Sequence, residues 1–444
     1  MGDRQKLDIP SEPRRQVASN ISRRTVLTGM LAGSALTACA TSEQSDTAPA
    51  LSQQKGASGL PDTVVIGAGV FGAWTAWSLQ KAGLSVRLID AWGAGNNLSS
   101  SGGESRLIRT EYLGNRLYTG MAHESLPLWQ ALSDRSGLPI FHECGALYLY
   151  RHEAENVRES LALQQSLGIP IERIERADME ARFPQFAFDE ISYGIYQPTM
   201  GAIMARRSLQ VLKEEFLAAG GDFLQARILP PEPGQALDGL LTDGGDRIKA
   251  GAFVFACGPW LPKLFPDLVG RRIIASRQEV FFFQAEPGQA KFDGAVMPAW
   301  VDAHEPDLHY GFPSLEARGF KIALDRHGRE IDPDTLVRHV SGSGEAAVRA
   351  YMHKRFPELA GRPLAESRVC QYENTVSGNF LIDRHPDWEN VYLVGGGTGH
   401  GFKHGPAVGR YVSELVQGTL DAPEPVFALS AHGRHGIGAE ADTH

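Results

Sequence analysis

The chain has little of what several protein classes require. Four cysteines among 444 residues are too few for a disulfide scaffold, and no apolar run is long enough to span a bilayer. The formal charge of -9, with no basic stripe carrying interleaved aromatics, excludes a nucleic-acid partner. The histidines lack metal-ligand spacing, so no metal site is expected. No internal repeat occurs, and no low-complexity tract lies beyond the leader. What remains is an ordinary globular balance, 42% hydrophobic and 21% charged residues. The length exceeds what one core usually supports, so two domains are expected.

Residues 1–60 differ from the rest. Arg14, Arg15, Arg23 and Arg24 precede a modest apolar stretch, Val26 to Ala38, and Ser22-Arg23-Arg24-Thr25-Val26-Leu27 resembles the twin-arginine export signal. Leu36-Thr37-Ala38-Cys39 resembles a bacterial lipobox, whose cleavage would leave Cys39 as a lipidated N-terminus and membrane tether. A disordered leader with a chance Arg pair is the alternative. Ala40 to Leu60 has too few large apolar residues to fold and reads as a tether. The expectation is an exported protein, periplasmic or held on the outer side of a bacterial cytoplasmic membrane.

The most informative segment is Thr63-Val64-Val65-Ile66-Gly67-Ala68-Gly69-Val70-Phe71-Gly72, an apolar β-branched run entering G-x-G-x-x-G and then a helical pattern. Gly67 lets the strand turn, Gly69 admits phosphates close to backbone, and Gly72 lets the helix lie tight on the strand. The helix N-terminus then attracts a pyrophosphate. Ala73 to Ala82 reads as helix, Gly83 stops it, and Ser85 to Ile89 reads as a second buried strand ending at Asp90. Asp90 stands about 20 residues past the glycines, where an acid accepts the ribose hydroxyls of a dinucleotide.

Ala252 to Ala256 and Val391 to Val394 are further apolar strands that would complete the same sheet, the second running into Gly395-Gly396-Gly397. Ala146 to Arg151, Arg277 to Glu286, His309 to Phe312 and Phe320 to Asp325 alternate and read as an antiparallel sheet. The fold class is therefore α/β: a Rossmann-like dinucleotide domain over 61–145, 200–272 and 368–425, with an inserted α+β substrate domain over 146–199 and 273–367. Cys257 reads as a core thiol, Cys144 has no evident partner, and the tail, 426–444, reads as disordered from Ala431 on.

Five segments together resemble the flavin-dependent amine oxidases of the D-amino-acid-oxidase superfamily, in the monomeric sarcosine oxidase and N-methyl-amino-acid oxidase branch. They are the Gly67 motif, Glu104-Ser105-Arg106-Leu107-Ile108-Arg109, Tyr310-Gly311-Phe312-Pro313 with Lys321, Val369-Cys370-Gln371-Tyr372, and Gly399-His400-Gly401-Phe402-Lys403. The resemblance runs from residue 61 to about residue 425.

It implies FAD, held by Gly67, Gly69, Gly72, Asp90, Ser105 and Arg106, with Gly397, Gly399, Gly401 and Lys403 beside the ring system. Backbone N–H groups of that glycine segment would stabilise negative charge on reduced flavin. Cys370 falls where the branch carries a thioether to the flavin. Arg109 and Lys403 match the cations that hold the substrate carboxylate, Tyr310 and Tyr372 flank the cavity, and Lys321 matches the lysine that promotes reaction with oxygen. Arg106 and Arg109 would share one face if their segment were helical, leaving Arg106 to steady flavin or backbone. His400 and His404 would shape the pocket.

Two departures concern the substrate: Gly102 and Asp325 stand where sarcosine-oxidising members carry histidines. Gly102 is expected to open space, and Asp325 to place an anion near the amine, favouring a cationic or larger substrate. The implied reaction oxidises a secondary, N-methyl or cyclic, amino acid to an imine, with oxygen reduced to hydrogen peroxide, in a monomer. The alternatives are an FAD-dependent amino-acid dehydrogenase serving a membrane acceptor, and a non-catalytic flavoprotein.

Overall fold

A computed structural model describes residues 60–153, 155–232, 237–286, 288–304 and 307–436. The twin-arginine segment, Cys39, most of the tether and residues 437–444 lie outside them. Among the described residues no helix is long and apolar enough to cross a membrane.

The first glycine motif folds as its spacing predicts. Strand β1 (Thr63–Ile66) is buried at every position, as an apolar run covered on both sheet faces must be. It turns at Gly67 (φ +101°), where a Cβ would lie 2.2 Å from the Ala256 carbonyl oxygen. Helix α1 (Val70–Lys81) follows, and a Cβ on Gly72 would sit 1.8 Å from the Gly67 oxygen, so only glycine permits this helix–strand approach. Strand β2 (Val86–Asp90) returns parallel to β1. The strands Ala252–Phe255 and Val391–Gly395 extend the sheet in parallel on β1's other side, as expected. Asp222–Gln225 flanks β2 and Leu381–Arg384 closes the opposite edge antiparallel, giving six strands.

The alternating segments build an eight-stranded sheet. Its pairs are antiparallel except Ala146–Tyr150 against Ala299–His304, which run parallel. Its edge strand Leu364–Thr375 pairs with Ile273–Phe283 along its length and crosses the 367/368 boundary read from the sequence. One end of that strand carries Cys370 to Glu373 toward the glycine motif.

One conformation left open by the sequence is settled, and one expectation is overturned. Ser105–Ile108 is a strand, β3, paired antiparallel with Gly201–Met204, not a helix. Arg106 and Arg109 therefore do not share a helical face; a spacing of three fits either conformation when no longer apolar period decides. The tail is also ordered through residue 436. His432 and His435 are buried, their Nε2 atoms 3.1 Å from the Phe380 and Asn374 oxygens, and the Arg271 guanidinium donates to the His435 oxygen at 2.7 Å. Backbone pairing of the imidazoles makes a polar segment packable. Cys257 meets its expectation, with Sγ 3.4 Å from the Ile66 oxygen and its thiol pKa raised by burial.

Candidate active site

A cavity of about 310 Å³ opens at the carboxyl ends of β1 and β2, lined among others by Gly67, Gly69, Asp90, Trp92, Trp260 and Glu373. The first turn of α1 has no side-chain cap at Gly69. Val70 N–H donates to Ser101 Oγ at 3.1 Å, so the positive end of the helix dipole faces the cavity with one donor taken. Asp90 lines it as predicted and also ties the turn together. Its Oδ2 accepts from Ala68 N–H and its Oδ1 from Trp92 and Gly93 N–H, each at 2.8 Å. Burial raises its pKa. At the other side Trp92 and Trp260 lie 4.7 Å apart, with Arg227 over Trp92 at 5.0 Å. Uncapped N–H groups, an acid past the glycines and aromatic faces suit a dinucleotide carrying a pyrophosphate, and FAD fits this donor set.

Beyond the cavity, β3 places Ser105 and Arg106. Lys321, 2% exposed, donates to the Ser105 carbonyl at 2.8 Å and its Oγ at 3.2 Å, with its ammonium 4.7 Å from the Phe312 ring centre. Burial, with Arg106 adding, pulls its pKa down to about 7. Arg106 donates to the carbonyls of Ser100 at 2.9 Å and Ser105 at 3.1 Å, so it steadies backbone. Cys370 is half-buried and packs with Val280, Phe282 and Ala323. It lies near Lys321, Tyr310 and Arg338.

A second group converges on Tyr112. Lys403 donates to Tyr112 Oη at 3.0 Å and to the His400 carbonyl at 2.7 Å. The Arg109 guanidinium lies 4.2 Å from the same ring and donates to the Glu111 carbonyl. His400 Nδ1 and His404 Nε2 approach Tyr112 Oη at 3.2 and 2.6 Å. Burial, then Arg109, drives the Lys403 pKa well below its usual value, and burial and Lys403 do the same to both histidines. Trp129 Nε1 donates to the Lys403 carbonyl at 2.9 Å and fixes its turn. Neither Arg109 nor Lys403 forms an ion pair among the described residues.

Tyr310 and Tyr372 lie beside Asp325; burial, and then the charge of Asp325, raise the pKa values of both phenols. Asp325 acts electrostatically on Lys403. Its Oδ1 is buried without a hydrogen-bond partner. A Cβ on Gly399 would lie 2.9 Å from the Tyr372 ring, and one on Gly401 2.9 Å from Gly397 Cα, so the glycine segment packs directly against this row. The expectation for Gly102 fails: a Cβ there would lie 2.3 Å from the Asn96 oxygen, so the 96–99 turn occupies the space instead. Sequence reasoning missed Tyr112, Arg338, Trp260 and Glu373. A lone acid in a strand otherwise buried at that point was the one available signal for Glu373.

Fold and site together define an FAD-dependent oxidoreductase. Residues 62–415 match the FAD dependent oxidoreductase family, DAO, and the chain belongs to it. It is 28% identical over 376 residues to monomeric sarcosine oxidase of Bacillus sp. (strain B-0618), covering 83% of this chain and 95% of that one. It is 24% identical over 368 residues to N-methyl-L-tryptophan oxidase of Yersinia pestis (strain Pestoides F), covering 82% and 96%. Among solved structures, the open form of NikD, an unusual amino acid oxidase essential for nikkomycin biosynthesis, superposes with a TM-score of 0.69 at 23% identity, covering 83% of this chain and 97% of that one.

Proposed function

We propose that the protein oxidises a secondary amino acid, N-methylated or cyclic, to the imine with release of hydrogen peroxide. The observation that carries this is the convergence of Arg109 and Lys403 on Tyr112 with neither cation in an ion pair among the described residues. A substrate carboxylate entering there receives the fixed guanidinium charge, and its arrival favours reprotonation of Lys403. Tyr310, Tyr372 and Asp325 lie beside that anchor and receive the amine end. When bound, FAD takes the hydride from the carbon next to nitrogen and returns the electrons to oxygen. Lys321 holds a positive charge, or gives up its proton, near neutral pH, which suits a group that stabilises developing superoxide charge. Asp325 makes the amine side acidic, which favours substrates larger or more cationic than sarcosine.

The finer reading adds covalent attachment of the flavin through Cys370, supported by the thiol's place beside Lys321 and Tyr310. It also adds export and a lipid tether at Cys39, supported by the sequence patterns around Arg23-Arg24 and Leu36 to Cys39. A cofactor bonded to the chain would survive where no flavin supply replaces it. Cell fractionation and the mass of the mature N-terminus test the export reading.

The test of function is peroxide release in air by the flavin-loaded protein against N-methyl, cyclic and primary amino acids, with Arg109→Ala as control. Peroxide on one class, lost in the control, supports the proposal. Flavin reduction without peroxide points to a dehydrogenase, and no reduction by any substrate to a non-catalytic flavoprotein.

A further inference from the structure

Glu373 is an acid placed where a pyrophosphate-bearing ligand must come. It lines the same cavity as Gly67 and Gly69, into which the N-terminus of α1 opens. Its Oε2 is buried and has no hydrogen-bond partner. Room for the carboxyl is made by glycines on two neighbouring segments. A Cβ on Gly258, Gly395 or Gly397 would lie 3.6, 3.5 or 3.2 Å from its oxygens. The backbone N–H groups of Gly396 and Gly397 face it.

Among the described residues no cation pairs with it. The groups facing it across the cavity are the Cys257 thiol after Ala252–Phe255 and Asp90 at the end of β2. Arg227, Lys263 and Asp334 stand at the Trp92–Trp260 side, where Lys263 is paired with Asp334 at 2.5 Å. A carboxylate buried with only two amide donors and brought next to a ligand of negative charge would be repelled. A neutral carboxylic acid in the same place has one proton to donate, and a ligand oxygen accepts it.

We propose that Glu373 binds the dinucleotide as a carboxylic acid, donating its proton to an oxygen of the ligand, so that capture of FAD takes up a proton. This rests on family membership and not on the oxidase reading. In the free protein, burial pushes the Glu373 pKa up to about 7, so the acid form is half-populated at neutrality and scarce at pH 9. Cys257, raised by burial, does not compete in that window, and Lys263, raised by Asp332 and Asp334, stays charged throughout it. If only the acid form binds, Kd for FAD weakens about 50-fold between pH 7 and pH 9.

The experiment titrates FAD into flavin-free, full-length protein carrying Cys370→Ser, which keeps binding reversible, in buffers of different ionisation enthalpy. The expected result is uptake approaching one proton at pH 8 and near zero at pH 6, with Glu373→Gln showing none and a flat Kd. Uptake unchanged by Glu373→Gln, or none at pH 8 with Glu373 present, overturns the proposal. Should the glutamine protein not fold, the infrared difference spectrum on FAD binding at pH 8 decides with Glu373 intact. A carboxylic C=O band gained at the expense of carboxylate supports the proposal, and its absence refutes it.

Discussion

Replacing Lys321 by methionine separates what this side chain costs the fold from what it does for catalysis. Exposed lysine holds its proton to about 10.5, whereas burial beside Arg106 leaves Lys321 near 7 in the folded protein. At about 1.4 kcal/mol for each factor of ten, that gap corresponds to roughly 5 kcal/mol of destabilisation at and below pH 7. Between pH 7 and pH 10.5 the unfolded chain binds more protons at this group than the folded one, so stability rises with pH across that window. Methionine fills much of the same volume without a charge, but it abandons the Ser105 carbonyl and hydroxyl. Leaving those acceptors alone costs about 1–3 kcal/mol. The net expectation for flavin-free Lys321→Met is a gain of about 2–4 kcal/mol at pH 7 that shrinks or reverses by pH 10. Guanidinium unfolding followed by tryptophan fluorescence at both pH values reads this directly. In the loaded enzyme, stopped-flow mixing with oxygen should be slowed at least tenfold while reduction by substrate is little changed. A methionine variant less stable than its parent at pH 7 would refute the electrostatic reasoning.

Arg109→Ala leaves Lys403 to face the substrate carboxylate alone; truncating one partner of a buried charge pair costs about 2–5 kcal/mol, so kcat/KM should fall by a factor of roughly 30 to several thousand. Gly72→Ala drives a methyl group onto the Gly67 oxygen, and because backbone must move, the purified protein should carry little or no flavin in its absorption spectrum. Cys370→Ser should release its flavin on acid precipitation where the parent keeps it with the protein. Asp325→Asn should raise KM about tenfold for substrates with a second positive charge and leave neutral N-methyl amino acids nearly unchanged.

The β1–α1–β2 unit was legible because most of its constraints are local. A strand buried on both faces needs an unbroken apolar run, and Gly72 is fixed by the nearby Gly67 oxygen, although Gly67 itself meets the distant Ala256 carbonyl. The partners of β1 were legible for the same reason, since Ala252–Phe255 and Val391–Gly395 are equally apolar. The parallel pairing of Ala146–Tyr150 with Ala299–His304 was not, because alternation shows that a strand has two unlike faces but not which strand lies beside it or in which direction. The conformation of Ser105–Ile108 stayed open for a related reason: Arg106 to Arg109 is too short for a period of two to be told from one of 3.6. In the site, the cations Arg109, Lys321 and Lys403 were legible only through the family resemblance of their segments, since each alone reads as an ordinary solvated charge. Tyr112, which joins two of them, was not, since a tyrosine after a strand has many ordinary uses. The failure at Gly102 has a steric origin in the 96–99 turn, whose backbone approach no residue type announces.

The substrate end of the site is arranged so that charge arrives with the ligand. His400, His404 and Lys403 surround Tyr112, and burial holds all three toward their neutral forms, with Arg109 adding at Lys403 and Lys403 adding at both histidines. Burial also pushes the Tyr112 hydroxyl up to about 12, so it remains a neutral donor and acceptor between them. Arg109 is then the fixed cation of the cluster. An incoming carboxylate meets one permanent charge and one that its own field restores, so binding need not sustain a cluster of unpaired cations in the free protein. The same arrangement discriminates against amines without a carboxylate, which would add a positive group beside Arg109 and leave Lys403 neutral. Asp325, whose charge acts on both Lys403 and Tyr372, supplies the opposite sign. Under the proposed reading these charges would order a substrate with its carboxylate toward Tyr112 and its amine toward Asp325.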